Sequence, residues 1–96
     1  MAIVTVVARI TAKDDAVEAV RVELLKMITP TRLEEGCIEY RLHQDNDNPA
    51  CFVFYENWRD RGCLERHMNS EHFKAYVTAV GELIADKVVQ LMTELV

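Results

Sequence analysis

Two side chains that can transfer protons fall within apolar segments of this 96-residue sequence. Glu56 follows the aromatic run 52–55, and His67 lies one helical turn after Leu64 in a segment predicted to be helical. A carboxylate beside an imidazole orients the ring and favours its protonated form, an arrangement that serves general acid–base catalysis. The residues therefore predict a Glu56–His67 pair inside an apolar cavity, in which Glu56 orients the imidazole.

A structural interpretation of the same residues also stays open. An isolated buried charge is costly, so Glu56 and His67 would pair even if they only tethered a helix to a sheet. Trp58, at the end of the same strand, is either part of the core or part of a cavity wall. The sequence predicts that these side chains lie inside the molecule, and it leaves both roles open.

Hydrophobic periodicity predicts the elements that hold these residues. The β-branched, apolar run 3–10 predicts a strand that is covered on both faces. Steps of three and four residues between Val17 and Ile28 predict a helix, and Asp15 with Glu18 has the spacing of a capping box. The chain therefore begins with a strand and a helix.

The middle of the chain predicts a hairpin. Pro30 kinks the first helix or ends its first part, and Gly36 closes the helical region. Alternating residues over 37–45 and the run 51–58 predict two strands, and the Asn-Asp-Asn-Pro cluster at 46–49 predicts the turn between them.

The last third predicts a divided helical region and a closing strand. Asp60 is expected to cap the first part, Asn69 and Ser70 separate it from the second, and 87–93 forms the strand. The order βαββαβ predicts a ferredoxin-like α+β sandwich with an antiparallel sheet and helices on one face. Apolar residues on the opposite face predict that two sheets pack together as a homodimer.

Composition excludes several classes of protein. The formal net charge of −5 offers no electrostatic footprint for nucleic acid. There is no run of 18 apolar residues and no leader-like start, which predicts no membrane span and a cytoplasmic location. The length predicts one domain over residues 1–96. Three cysteines without a CxxC pair predict reduced thiols.

No cofactor or metal site is predicted. There is no glycine-rich phosphate loop and no Gly-x-Ser-x-Gly motif. His43, His67 and His72 lack close metal-ligand spacing apart from the five-residue step between the last two, and no Cys or carboxylate clearly completes a set.

Several short motifs are weak singly and specific in combination. They are Glu35-Gly36-Cys37, Tyr40, Phe54-Tyr55-Glu56-x-Trp58, Leu64-x-x-His67 and His72-Phe73. Over residues 3–91 this set resembles the antibiotic biosynthesis monooxygenase domain family of small dimeric α/β-barrel proteins, and its quinol monooxygenases in particular.

The resemblance implies a homodimer whose two sheets form a barrel. It also implies that O₂ oxidises a small quinol or polyphenol without flavin, haem or metal. In that reaction His67 is the proton acceptor and Glu56 orients it. The resemblance then implies a substrate wall made by Trp58, Tyr40 and Phe54, and a cavity mouth closed by His72 and Phe73.

Three other functions stay open. Haem degradation occurs in a related branch that resembles this chain at Trp58, but by ungapped matching the branch's Asn and His fall at Ala8 and Tyr76. Isomerisation of a small phosphorylated molecule is disfavoured because the predicted cavity residues include few cations. The last alternative is a non-enzymatic dimeric module that binds an aromatic ligand or serves in a stress response.

Overall fold

The computed structural model describes residues 2–96, which fold into four strands and four helices. Their order confirms the predicted ferredoxin-like α+β class. The elements are β1 (Val4–Ala12), α1 (Val17–Lys26), α2 (Ile28–Arg32), β2 (Cys37–Gln44), β3 (Cys51–Trp58), α3 (Arg61–Met68), α4 (Glu71–Val80) and β4 (Ile84–Met92). Within the described range, no helix is long and apolar enough to cross a membrane.

The four strands form one antiparallel sheet in the order β2-β3-β1-β4. Val6 of β1 lies opposite Glu56 of β3 and Leu91 of β4, so all three side chains share the face that the helices cover. Alternation along β3 also turns Phe54 and Trp58 to this face, where both are buried. The site is therefore built on the central strands.

The first helical region starts differently from the prediction. Ala16 occupies the N-cap of α1 without a side-chain hydrogen bond, so the predicted capping box of Asp15 and Glu18 is wrong. The predicted interruption is confirmed. Pro30 lacks the N–H that would reach the carbonyl of Lys26, and α1 ends at that residue.

Gly36 forms a tight turn before β2 rather than the end of a helix, since α2 already ends at Arg32. Its φ of 84° lies in the left-handed region that glycine adopts without strain. A Cβ atom here would collide with Sγ and Cβ of Cys63 on α3. The Gly36 carbonyl also accepts a hydrogen bond from the backbone N–H of Arg59 at 2.8 Å. This turn holds the preceding loop against α3.

The uncovered face of the sheet is more polar than predicted. On β1 it carries Thr5, Val7, Arg9 and Thr11, so this strand is not apolar on both faces. The exposed apolar side chains of this face include Val88 and Met92 of β4, which are 41% and 43% exposed, whereas Val89 and Leu91 of the same strand face the helices.

Candidate active site

A cavity of about 240 Å³ lies between the sheet and helices α3 and α4. Most of its lining is apolar, and the titratable side chains on it are Tyr40, Glu56, His67, Tyr76 and Lys87. A larger, more open groove of about 560 Å³ runs beside the start of α3 and the end of β4 and contains none of the predicted site residues. The smaller cavity therefore joins an apolar surface to proton-transfer groups, as a small-molecule site requires.

His67 is the most enclosed of these groups, with 2% of its surface exposed. It lies on the inward face of α3, and Asp60 starts that helix by accepting a hydrogen bond from the Cys63 N–H at 2.9 Å. The imidazole packs at ring-centroid distances of 4.7 Å from Trp58 and 5.1 Å from Phe73. Burial lowers the pKa of His67 below its ordinary value, so the neutral ring is favoured near pH 7.

Glu34, not Glu56, is the carboxylate that contacts His67. Nδ1 of His67 lies 2.7 Å from Oε2 of Glu34, and Nε2 of His72 lies 2.7 Å from the same oxygen. Because an ionised carboxylate only accepts hydrogen bonds, each of these ring nitrogens carries a proton. Nδ1–H of neutral His67 is thereby fixed, and its Nε2 retains a lone pair. The predicted orientation of His67 by Glu56 is corrected in favour of Glu34.

Glu56 lies on β3 and is more buried than Glu34, with 5% of its surface exposed. Its Oε1 accepts a hydrogen bond from Nε1–H of Trp58 at 2.8 Å. Burial raises the pKa of Glu56 from 4.5 to about 7; the Trp58 hydrogen bond opposes this shift, and the charge of Glu34 adds to it. Near neutral pH the carboxylic acid is therefore well populated and can donate a proton into the cavity.

Two phenols complete the polar part of the cavity. Tyr40 stacks on Phe54 with ring centroids 4.8 Å apart, and burial raises its pKa above the ordinary value. Burial likewise raises the pKa of Tyr76 to about 12, with a contribution from the charge of Glu56. Both hydroxyl groups stay protonated at neutral pH and can act as hydrogen-bond donors.

The predicted substrate-binding residues fall into two groups. Tyr40, Phe54 and Phe73 line the cavity. Trp58 is fully buried behind Glu56, and His72 bonds to Glu34, so neither is among the lining residues. The predictions for these two residues are corrected accordingly: Trp58 supports Glu56, and His72 supports Glu34.

Sequence reasoning missed Glu34 and Lys87. Nζ of Lys87 lies 5.7 Å from the ring centroid of Tyr76 and 6.0 Å from that of Phe73, at the rim of the cavity. Residue 87 was predicted within the last strand without a functional role. Glu34 lies in a loop, where no periodicity indicates side-chain direction, and its only signal was its position two residues before Gly36.

The fold and the cavity together define a class: a small ferredoxin-like protein with an imidazole and a buried carboxyl group on the wall of an apolar pocket. The model for the family described as antibiotic biosynthesis monooxygenase matches residues 3–79. The chain belongs to this family.

Individual relatives agree with that assignment. The Rv0793 protein of Mycobacterium tuberculosis is 42% identical over 81 residues, covering 84% of this chain and 79% of the relative. Its solved structure has a TM-score of 0.91 at 38% identity and covers 97% of this chain and 95% of its own. The structure of PA3566 from Pseudomonas aeruginosa has a TM-score of 0.96 at 35% identity, covering 100% of this chain and 97% of its own.

Proposed function

We propose that this member of the family is a cofactor-independent monooxygenase that oxidises a small quinol or polyphenol with O₂. The observation that carries the proposal is the contact of His67 Nδ1 with Glu34 at 2.7 Å, which leaves Nε2 free on a ring that lines an apolar cavity. An imidazole held in this way is a general base for a phenolic hydroxyl group. The cavity of about 240 Å³ favours a substrate of one or two rings.

The proposed reaction begins with proton transfer. Nε2 of His67 removes a hydroxyl proton, and the resulting phenolate is electron-rich enough to transfer one electron to O₂. The substrate radical and superoxide then combine to form a C–O bond. Because the substrate itself supplies the electrons, a quinol and O₂ give a hydroxyquinone and water, and the atoms and electrons balance without another reductant.

The other polar groups act on the peroxide stage of this reaction. Protonated His67 returns its proton to the peroxide, and Glu56, as the carboxylic acid, donates a second proton to the outer oxygen, which departs as water when the O–O bond breaks. The oxygenated carbon loses its hydrogen as a proton to the Glu56 carboxylate and becomes a carbonyl, which regenerates both groups. The hydroxyl groups of Tyr40 and Tyr76 donate hydrogen bonds to developing negative charge on oxygen. The apolar walls exclude water, which strengthens each of these interactions.

Oxygen uptake tests the proposal. One- and two-ring quinols are supplied with a metal chelator present, and the rate without protein is subtracted because quinols oxidise spontaneously. We expect catalysed uptake with formation of a hydroxyquinone, and a turnover lower by roughly 10²–10⁴ in His67→Gln. His43→Gln is the matched control, since His43 is exposed on β2. Saturable quinol binding without uptake would instead favour a non-enzymatic binding module.

We also propose that the protein is a homodimer formed through the uncovered sheet face. Val88 and Met92 are 41% and 43% exposed, and the register places them on that face beside Thr5 and Arg9 of β1. Light scattering after size exclusion is expected to give twice the chain mass of 11.0 kDa. Val88→Asp should dissociate the dimer, whereas Val77→Asp, at a similarly exposed position on α4, should not. A monomeric wild-type protein would refute this arrangement.

A further inference from the structure

Three metal-ligating side chains converge beside the candidate active site. The ligand atoms of Glu34, His67 and His72 all lie within 4.8 Å of one another. The two imidazole nitrogens each lie 2.7 Å from Oε2 of Glu34, and Nε2 of His72 also lies 3.3 Å from Oγ of Ser70. The cluster joins the loop before β2 to the end of α3 and the start of α4.

The backbone around the cluster is well supported. Ser70 accepts a hydrogen bond from Phe73 N–H at 3.2 Å and donates one to the His67 carbonyl at 2.6 Å. These bonds fix the short connection between α3 and α4, so the fold sets the backbone positions of residues 67 and 72. Glu34 lies outside regular secondary structure, and its side chain can adjust by rotation alone.

The donor set matches the preference of divalent transition metals. Two imidazoles and one carboxylate bind zinc, and they leave at least one position open to water. Bond lengths of about 2.0–2.1 Å in tetrahedral geometry place neighbouring ligand atoms about 3.3 Å apart. The two short contacts to Glu34 must therefore open by about 0.6 Å each, and the two imidazole nitrogens, which lie within 4.8 Å of each other, must approach by up to about 1.5 Å. Rotation of the Glu34 side chain supplies the first change, and rotation of the partly exposed His72 side chain supplies the second.

Ions can reach this cluster from solvent. The side chains of Glu34 and His72 are 16% and 25% exposed, whereas that of His67 is 2% exposed. The carboxylate and His72 therefore form the outer side of the cluster, and His67 forms its inner side next to the cavity. An ion would arrive through the first two ligands and bind His67 last.

We propose that Glu34, His67 and His72 bind a divalent transition-metal ion, and that the bound ion prevents His67 from acting as the base. Coordination through Nδ1 requires a lone pair on that atom, so the ring proton moves from Nδ1 to Nε2. The nitrogen that faces the cavity then carries a proton and cannot accept another. The change is a tautomer shift with no oxidation or reduction.

The first half of this inference stands by itself, and the inhibition rests on the proposed function. Calorimetric titration with Zn²⁺, and with Co²⁺ followed by visible absorption, measures binding without any assay of activity. We expect one ion per chain and a cobalt spectrum without the near-ultraviolet thiolate band that cysteine ligation would produce. A thiolate band would place the ion on cysteine and overturn the assignment.

Variants connect the ion to the cluster. His72→Gln is expected to weaken Zn²⁺ binding by roughly tenfold or more, because one strong ligand of three is lost, whereas His43→Gln should leave it unchanged. Equal affinity in wild type and His72→Gln, or no binding in wild type, would refute the metal site. Circular dichroism of each variant confirms that the fold is intact.

Measuring quinol oxidation in the presence of Zn²⁺ separates the metal-site proposal from the proposed oxygenase function. If the wild-type protein oxidises quinols, Zn²⁺ should inhibit it at concentrations that match the calorimetric titration, and chelation should restore the rate. Inhibition that persists equally in His72→Gln would refute the tautomer mechanism while leaving the oxygenase intact. Metal binding by a protein that never consumes O₂ would refute the proposed function and leave the metal site standing.

Discussion

The two carboxylates near the cavity occupy contrasting regions of the molecule. Glu34 lies in a loop beside His67, partly exposed, and two imidazole N–H groups donate to one of its oxygens. Glu56 lies on the central strand β3, almost fully buried, and a single indole N–H donates to it. Burial on the strand raises the pKa of Glu56 and favours its neutral form, whereas Glu34 acts through the two hydrogen bonds that it accepts. One residue type thus serves as acceptor in one region and as proton donor in the other.

The largest expected effect is a decrease in the free energy of unfolding as pH rises, because the buried Glu56 must ionise. Its folded-state pKa of about 7 exceeds the ordinary 4.5, so the folded protein binds more protons than the unfolded chain between these values. Stability therefore falls as pH rises from about 4.5 to about 7, by on the order of 3 kcal/mol. Glu56→Gln should lose this part of the decline in chemical denaturation across that range, and an unchanged profile would contradict the buried acid.

The second prediction tests whether Glu34 affects turnover through its contact with His67. Glu34→Gln keeps an acceptor oxygen but loses the charge, so turnover should fall roughly 10–100-fold while KM changes little. The charge of Glu34 raises the pKa of His67, so its loss should also move the acid limb of the kcat/KM profile to lower pH. Glu35→Gln is the matched control, because Glu35 is the next residue in the chain and its side chain contacts Arg59 on the surface instead of His67. A stationary acid limb would limit Glu34 to a structural role.

The third prediction concerns Trp58, whose indole N–H donates the hydrogen bond to the buried Glu56. Trp58→Phe removes the indole N–H, which leaves a buried carboxyl oxygen without its partner and a gap in the core. We expect a loss of roughly 2 kcal/mol in the free energy of unfolding, measured by urea denaturation. The loss should be smaller at pH 5, where Glu56 is protonated, than at about pH 8, where it is charged. Equal losses at both values would separate Trp58 from the ionisation of Glu56.

The smallest effect is expected at the Gly36 turn, which follows the loop that holds Glu34. Gly36→Ala places a Cβ at a φ of 84° and against Cys63, so we expect a destabilisation of roughly 1–2 kcal/mol. The turn follows Glu34 by two residues, so turnover should fall with stability. Gly81→Ala is the control, since Gly81 has helical backbone angles and a tight but local contact with the Val77 carbonyl. Equal stability of the two variants would contradict a special role for the Gly36 turn.

Much of the scaffold could be predicted because periodicity is a local property of the chain. Alternation along β3 correctly turned Glu56 inward, and the three-residue step from Leu64 correctly placed His67 on the buried face of α3. Pro30 indicated the helix break because proline has no backbone N–H to donate within a helix. Capping was less predictable, because Asp15 has the right spacing and Ala16 nevertheless occupies the N-cap.

The sequence alone determined the order of elements, the inward faces and the residue types available for chemistry. Only the tertiary structure decided which carboxylate meets the imidazole. Glu34 is 33 residues from His67 and Glu56 only 11, yet the nearer residue in sequence bonds to tryptophan instead. Facing inward is set by local backbone geometry, whereas a contact between elements depends on how loops and helices pack across the sheet. The close approach of the Gly36 turn to Cys63 on α3 is one such contact, and it lies two residues after Glu34.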